Sequence, residues 1–396
     1  MTTARATEQD AVPAALDAIR SAIDDEIART IAGLEQQGPE HGHALIGRVY
    51  RWMRHYLASD GKRMHGIAVV LSYRACRGVP DDAIFPVASA LQLYHHHTLV
   101  HDDIYDEDSA RRGWPTSHLA FASLFDDGAQ APAQQQDARA RLFAGESLRR
   151  GAITAFAYGK ICRALAGHTM LCSAFPAEAR LDVSARLHWH DLYDNAAQIK
   201  DVCHEGAAMP DTRSCLDNAW LKTGRLFEVC AYAGGRLAGA APGQIAALEI
   251  WSGQSALAYQ LQDDLEDLNI DSEKGQGRGV GTDLLRCKPT YLYALAKTLA
   301  GGADLAAMLR WQAGEKAGLD APAMIAIFHR CGAVAACLAE VERRLERAGA
   351  ALEQAEPAFS AESRAGMLAF SRYFISGAYW RRRIVSDAAR SAALLA

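Results

Sequence analysis

The sequence predicts an all-α protein built as one large helical bundle. Three observations carry this. Apolar residues recur at three- and four-residue steps along most of the chain, alternating runs of β-branched residues are scarce, and half of the 396 residues are hydrophobic, enough to bury a large core. The totals also exclude whole classes of function. A formal net charge of −5 with 22% charged residues leaves no basic stripe, so nucleic acid is not expected as a partner. Nine cysteines, at 76, 162, 172, 203, 215, 230, 287, 331 and 337, are an odd number without CxxC pairs, which points to reduced thiols in a cytoplasm rather than a disulfide framework or a zinc ribbon. The N-terminal MTTARATEQD has no apolar core of signal-peptide type, and no apolar window is long enough to span a bilayer. A cytoplasmic protein without a membrane span is expected.

Residues 1–9 read as a disordered leader and residues 10–396 as the helical domain. Leu16, Ile19, Ile23, Ile27 and Ile31 place one apolar stripe on a first helix, ended near Gly38-Pro39. A second helix covers His43 to Ala58, and Ser59-Asp60-Gly61 turns the chain before Lys62-Arg63. Helical spacing continues from Ile67 to Cys76 and from Asp81 to about Asp108. The Gln-, Ala- and Pro-rich 126–137 reads as a flexible surface insert. Further helices are expected from Ala138 to Ala166, Pro176 to His204, Cys215 to Leu237 and Gly243 to Leu268. A loop with four glycines at 275, 277, 279 and 281 follows, then Lys288-Pro289-Thr290 restarts a helix and several more lead to Arg381, Arg382 and Arg383.

Two acidic clusters stand out on this scaffold. Asp102, Asp103 and Asp106 have DDxxD spacing near the C-terminal end of a long helix, and Asp263, Asp264 and Asp267 repeat it at the end of another. Carboxylates there are opposed by the helix dipole, a local cost with no structural return. Magnesium takes oxygen ligands, keeps most of its waters and binds through one or two carboxylates plus phosphate oxygens. Two such rows could hold several ions with a diphosphate between them, and Arg111, Arg112, Lys222, Arg278 and Lys288 supply cations for the same group. Other metal readings do not fit. An EF-hand counted from Asp106 would need Gly and Glu where Arg111 and Ser117 stand, and His95, His96, His97 and His101 lack a further zinc ligand at recognised spacing.

Taken together, Gly61-Lys62-Arg63, His95 before DDIYD, Arg111-Arg112-Gly113, Lys222-Thr223-Gly224, YQLQDDLED and GTDLLRCKPT resemble the trans-isoprenyl diphosphate synthases, which make geranyl, farnesyl, geranylgeranyl and longer diphosphates. The resemblance runs from Gly61 to Thr290 with the motifs in family order. It implies a helical bundle of the isoprenoid synthase type with a central cavity, both acid rows at its mouth, and a homodimer. It also implies magnesium, about three ions per active site, gripping an allylic diphosphate whose departure leaves a cation for isopentenyl diphosphate to attack. Carried over, Asp102, Asp106 and Asp263 are metal ligands with Asp103, Asp264 and Asp267 beside them. Arg111, Lys222 and Lys288 hold the allylic diphosphate, Arg278 stands in place of a usual lysine, and Gln198 with Asp201 forms the family's GlnxxAsp pair. Lys62, His95 and Arg112 hold isopentenyl diphosphate. Tyr94, His97 and Thr98, before the first row, would form the floor that limits chain length, giving C20 with C15 next. No protein nucleophile is required, since the chemistry is charge stabilisation on a leaving group in a cavity closed to water.

The departures are informative. His65 stands where a second arginine for isopentenyl diphosphate is usual, and imidazole lacks the permanent forked charge of guanidinium. Glu266 lies inside the second row and Ala197 replaces a glycine before Gln198. A weakened isopentenyl site would suit a terpene cyclase acting on a ready-made prenyl diphosphate. Retention of Lys62, His95 and Arg112 favours elongation, and two whole acid rows argue against a non-catalytic partner subunit.

Overall fold

The isoleucine stripe near the N-terminus becomes one side of a long helix, α1 (Thr2–Gln37), with Ile19, Ile23, Ile27 and Ile31 all buried. Each such side chain contributes about 1.5–3 kcal/mol by leaving water. Because α1 starts at Thr2, the leader expected over residues 1–9 is helical from its second residue. The run from Thr2 to Asp10 has neither Gly nor Pro, and its Ala, Arg, Glu and Gln residues are good helix formers.

The computed structural model describes residues 2–37, 44–58, 61–77, 81–111, 114–125, 145–204, 210–268, 282–316 and 318–375. The expected insert at 126–137, the glycine-rich stretch at 275–281, and Arg112, Arg278, Arg381, Arg382 and Arg383 lie outside these residues. Almost every described segment is helical. The only strands among them are β1 (Ala110–Arg111) and β2 (Trp114–Pro115), an antiparallel pair just after the first acid row.

The helices group into two compact units. One comprises Asp17–Val70 and Asp82–Arg180. It holds most of α1, α2 (Ala44–Ala58), the first half of α3 (Met64–Arg77), α4 (Ile84–Tyr105), α5 (Ser117–Ala122) and α6 (Glu146–Cys172). Its core joins Tyr56, Tyr94, Phe121 and Tyr158, and α4 and α6 come very close: a Cβ on Gly159 would lie 2.5 Å from His101 Nε2.

The other unit comprises Met1–Leu16, Leu71–Asp81 and Leu181–Ala396. Here α7 (Ala177–His204) is followed by α8 (Thr212–Ala219), a π-helical turn (Trp220–Gly224), α9 (Arg225–Ala238) and α10 (Pro242–Glu266). Next come α11 (Thr282–Leu285), α12 (Tyr291–Leu299), α13 (Gly302–Gln312), α14 (Ala321–Arg330), α15 (Ala333–Glu353) and α16 (Ala361–Ile375). Ends are capped by local chemistry: Asp211 accepts from Ser214 N at 2.7 Å, Asp320 from Ala323 N at 2.8 Å, and Gly239 closes α9 at φ 78°. Trp251 is fully buried on α10 and donates to Ser371 Oγ at 3.1 Å, whereas Trp189 on α7 is 60% exposed.

Among the described residues no single helix is long and apolar enough to cross a membrane. The bent pair α14 and α15 passes that test jointly, but Met324, Ile327, Phe328, Val341 and Leu345 on it are buried in the protein's own core.

Candidate active site

Each acid row sits in its own unit. At the end of α4, Asp106 is the C-cap and its N–H donates to Asp102 O at 2.8 Å. The chain then breaks sharply, with Glu107 in the left-handed region at φ 52° and Asp108 N–H returning to Asp103 O at 3.0 Å. This break swings β1 back so that Arg111 Nε donates to Asp103 Oδ1 at 2.6 Å, with Asp103 itself 1% exposed. Burial alone would lower the Arg111 pKa, but the Asp103 carboxylate outweighs it and holds the guanidinium above its usual value. Asp102 and Asp106, one turn apart on the same side of the helix, stay partly exposed.

In the same unit, residues far apart in sequence meet. Arg63 is buried with φ 52°, donates to Asp24 Oδ1 and to Leu57 O, and so pins the loop that carries Lys62. A Cβ on Gly66 would lie 3.0 Å from the Ala88 carbonyl oxygen and 2.8 Å from Ile23 Cδ1, so the glycine lets the start of α3 pack closely against α4. The His65 ring stacks on His95 with centroids 3.9 Å apart and planes 26° apart. The residues expected to form the floor pack together on α4. Tyr94 and His97 are buried and meet edge to face at 4.6 Å, His97 Nδ1 bonds the Tyr94 carbonyl, and His101 continues the stack to Phe156 of α6. Thr98 turns its hydroxyl to His95 O at 2.9 Å. Burial lowers the His101 pKa, which keeps that ring neutral.

The second row ends α10. Asp264 Oδ1 accepts from Gln260 Nε2 at 3.2 Å, and Asp267, the C-cap, accepts from the Asp283 backbone N–H at 3.0 Å. Both are buried, while Asp263 is partly exposed. Lys288 follows Cys287, a non-glycine at φ 53°, and its ammonium stands 4.0 Å from Asp283.

Lys222 is displayed by the π-helical turn, an insertion into the regular helical ladder of the kind that recurs at functional sites. Its ammonium donates to Gln198 Oε1 at 2.9 Å and Asp201 Oδ2 at 2.7 Å, so the GlnxxAsp pair and Lys222, expected separately, come together. The turn is held from below. Trp220 Nε1 donates to Glu228 Oε1 at 2.7 Å, and a Cβ at Gly224 would come within 2.7 Å of the Trp220 ring. Burial pushes the Glu228 carboxyl up despite the Trp220 N–H and the cations Arg225 and Arg186. Sequence reasoning missed Thr223, Gln260 and Asn218. Thr223 Oγ1 donates to Gln260 Oε1 at 3.2 Å, which links the Lys222 turn to the second row, and Asn218 donates to Asp201. Thr223 and Gln260 lie inside the quoted motifs without a role of their own there, and Asn218 lies one turn before Lys222.

Among the described residues no three His, Cys, Asp or Glu side chains are grouped closely enough to enclose a metal by themselves. Asp103 turns to Arg111, Asp264 to Gln260 and Asp267 to a backbone N–H, which leaves Asp102, Asp106 and Asp263 as the partly exposed carboxylates. That donor set fits an ion taking one or two carboxylates and the oxygens of a phosphate, and does not fit an all-protein cage.

Comparison with known proteins identifies the family. The family model described as polyprenyl synthetase matches residues 47–126 and 145–320. A geranylgeranyl diphosphate synthase of Mycobacterium tuberculosis is 32% identical over 63% of this chain and 63% of its own length. A short chain isoprenyl diphosphate synthase of Methanocaldococcus jannaschii is 29% identical over 64% of this chain and 67% of its own. In structure, a geranylgeranyl pyrophosphate synthase from Corynebacterium glutamicum, solved with isoprenyl diphosphate and magnesium, aligns with TM-score 0.78 at 22% identity over 91% of this chain and 99% of that one. With well over half of its length matched by the family model, the chain belongs to the polyprenyl synthetase family and is a prenyltransferase.

Proposed function

We propose that the chain condenses isopentenyl diphosphate with an allylic diphosphate to give a prenyl diphosphate of C20, with C15 next, and inorganic diphosphate. The observation that carries this is a fixed cation in each unit: Arg111 on Asp103 of the first row, and Lys222 on Asp201 and Gln198, in a turn that Thr223 and Gln260 tie to the second row. Asp102, Asp106 and Asp263 hold Mg2+, about three ions per site, with Asp103, Asp264 and Asp267 orienting the rows. When bound, the metal stabilises negative charge on the departing diphosphate. Arg111, Lys222 and Lys288 bind that diphosphate, and Arg278 adds charge to the same group. Lys62, His65, His95 and Arg112 bind isopentenyl diphosphate. The stacked His65 and His95 rings support a shared pocket for these two residues.

Tyr94, His97 and Thr98 limit the length of the product. An exposed apolar stripe on α7, formed by Leu181, Trp189, Leu192 and Ile199, supports a homodimer. The described cysteines are all free thiols, which supports a cytoplasmic location.

The test is incubation with Mg2+ and dimethylallyl, geranyl, farnesyl or geranylgeranyl diphosphate, each with and without isopentenyl diphosphate. Longer diphosphates formed only in its presence are expected. Hydrocarbon or alcohol formed in its absence would replace condensation by cyclisation.

A further inference from the structure

Gln92 lies on α4, buried, one turn before His95. Both ends of its side-chain amide have a partner. The backbone nitrogen of Gly66 is 3.3 Å from Oε1, and His95 Nδ1 is 3.3 Å from Nε2. A backbone N–H can only donate, which assigns the oxygen end of the amide to Gly66 and leaves the NH2 end facing His95. An amide NH2 also only donates, so His95 Nδ1 must accept. The proton of a neutral imidazole then sits on Nε2. A second proton, on Nδ1, would set one N–H against another in a half-buried place, so the neutral ring is favoured.

The same bond reaches two further residues. Gly66 and His65 are adjacent at the start of α3, and the His65 ring lies flat on His95 at 3.9 Å between centroids. The bond from Gly66 to Gln92 therefore fixes the backbone that carries His65, while the bond from Gln92 to His95 fixes the ring it rests on. One glutamine sets the orientation of both imidazoles, in the chain where one of them replaces the usual arginine.

We infer that Gln92 is a positioning residue for isopentenyl diphosphate, holding His95 as a neutral ring whose Nε2–H is the donor and, through the stack, orienting His65. The inference rests on the reading that this pocket receives isopentenyl diphosphate. It concerns only how the pocket's two imidazoles are prepared for that ligand.

The first test is nitrogen-15 NMR of the full-length protein labelled at histidine, with the His95 signals identified by their loss in His95→Gln. The Nε2-protonated tautomer is expected at neutral pH in the unsubstituted protein. A ring protonated on Nδ1, or an even mixture, overturns the proposal without any variant at Gln92 having to fold. The second test is Gln92→Met, which keeps length and loses both hydrogen-bonding ends. A mixed His95 tautomer is expected, together with a KM for isopentenyl diphosphate raised about five-fold, the equivalent of one ordinary hydrogen bond, while kcat and the KM for the allylic diphosphate stay within about two-fold. A shifted tautomer with an unchanged KM for isopentenyl diphosphate would sink the positioning role. If the unsubstituted enzyme performs no condensation at all, the functional reading fails, and the tautomer spectrum still decides whether Gln92 fixes His95.

Discussion

At the end of α4 the second carboxylate of the acid row, Asp103, is buried against the guanidinium of Arg111. At the end of α10 its counterpart, Asp264, accepts from the neutral amide of Gln260. The last positions differ in the opposite sense. Asp106 stays partly exposed, while Asp267 is buried and tied to the Asp283 backbone N–H. Two rows with the same spelling thus differ in which carboxylates stay partly exposed, two on α4 and one on α10. A motif fixes spacing along one helix, and what each member then does is decided by the segments that return to it: a hairpin bearing a cation in one unit, a backbone amide from α11 in the other.

The comparison is most sharply tested by substituting the rows position by position. Asp102→Asn, Asp106→Asn and Asp263→Asn should each lower kcat by roughly 10²–10³, the size expected for loss of one charge-stabilising group, whereas Asp267→Asn should lower it by less than about 10-fold. Steady-state kinetics at saturating Mg2+ measures this, and equal losses at Asp106 and Asp267 would make the two rows equivalent after all.

Arg111→Met should be the most damaging change to folding, about 3–5 kcal/mol in urea unfolding, because it strands the Asp103 carboxylate in a buried site. Adding Asp103→Leu to it should restore much of that loss. No recovery would mean that the pair is not what holds the hairpin to α4.

Of smaller consequence for rate, Tyr94→Ala combined with His97→Ala should lengthen the product by one or more isoprene units on chromatography, since it removes a buried aromatic pair before the first row. Unchanged products would leave these rings as ordinary packing between α4 and α6.

The smallest effect concerns pH. Burial raises the Glu228 pKa above its ordinary value of 4.5, so the folded protein holds a proton there that the unfolded chain releases. The associated stability is present below pH 4.5 and is lost as pH rises through the folded value. Glu228→Gln should flatten that slope in unfolding curves taken from pH 4 upward, and an unaltered slope would assign it to other groups.

Much of this was legible in the residues. The isoleucine stripe of α1 was readable because burial on a helix leaves a periodic trace, and both acid rows were readable because carboxylates gathered at helix ends are costly without a purpose. Lys222, Gln198 and Asp201 were recovered through the family resemblance and meet in the structure. What escaped depends on tertiary partners. The π-helical turn around Lys222 is held by Trp220, Glu228 and Gly224, none of which signals an extra residue in a helix by its identity. Trp189 is mostly exposed while Trp251 is buried, because hydrophobicity alone does not tell which side of a helix faces the core and which faces outward. The preparation of His95 by Gln92 rests on a backbone N–H from another helix, which no side-chain pattern can show.

Among the described residues, three non-glycines adopt left-handed backbone, and each immediately adjoins a proposed ligand-binding residue: Arg63 after Lys62, Glu107 after Asp106, and Cys287 before Lys288. Each conformation costs a side-chain-bearing residue roughly 1 kcal/mol that glycine would not incur, while glycine would loosen the unfolded chain by a similar amount. At Glu107 and Cys287, where no buried ion pair is at stake, these two contributions nearly cancel. Those joints are therefore places where the stiffness of each segment, the one after Asp106 and the one before Lys288, can change without a matching change in melting temperature.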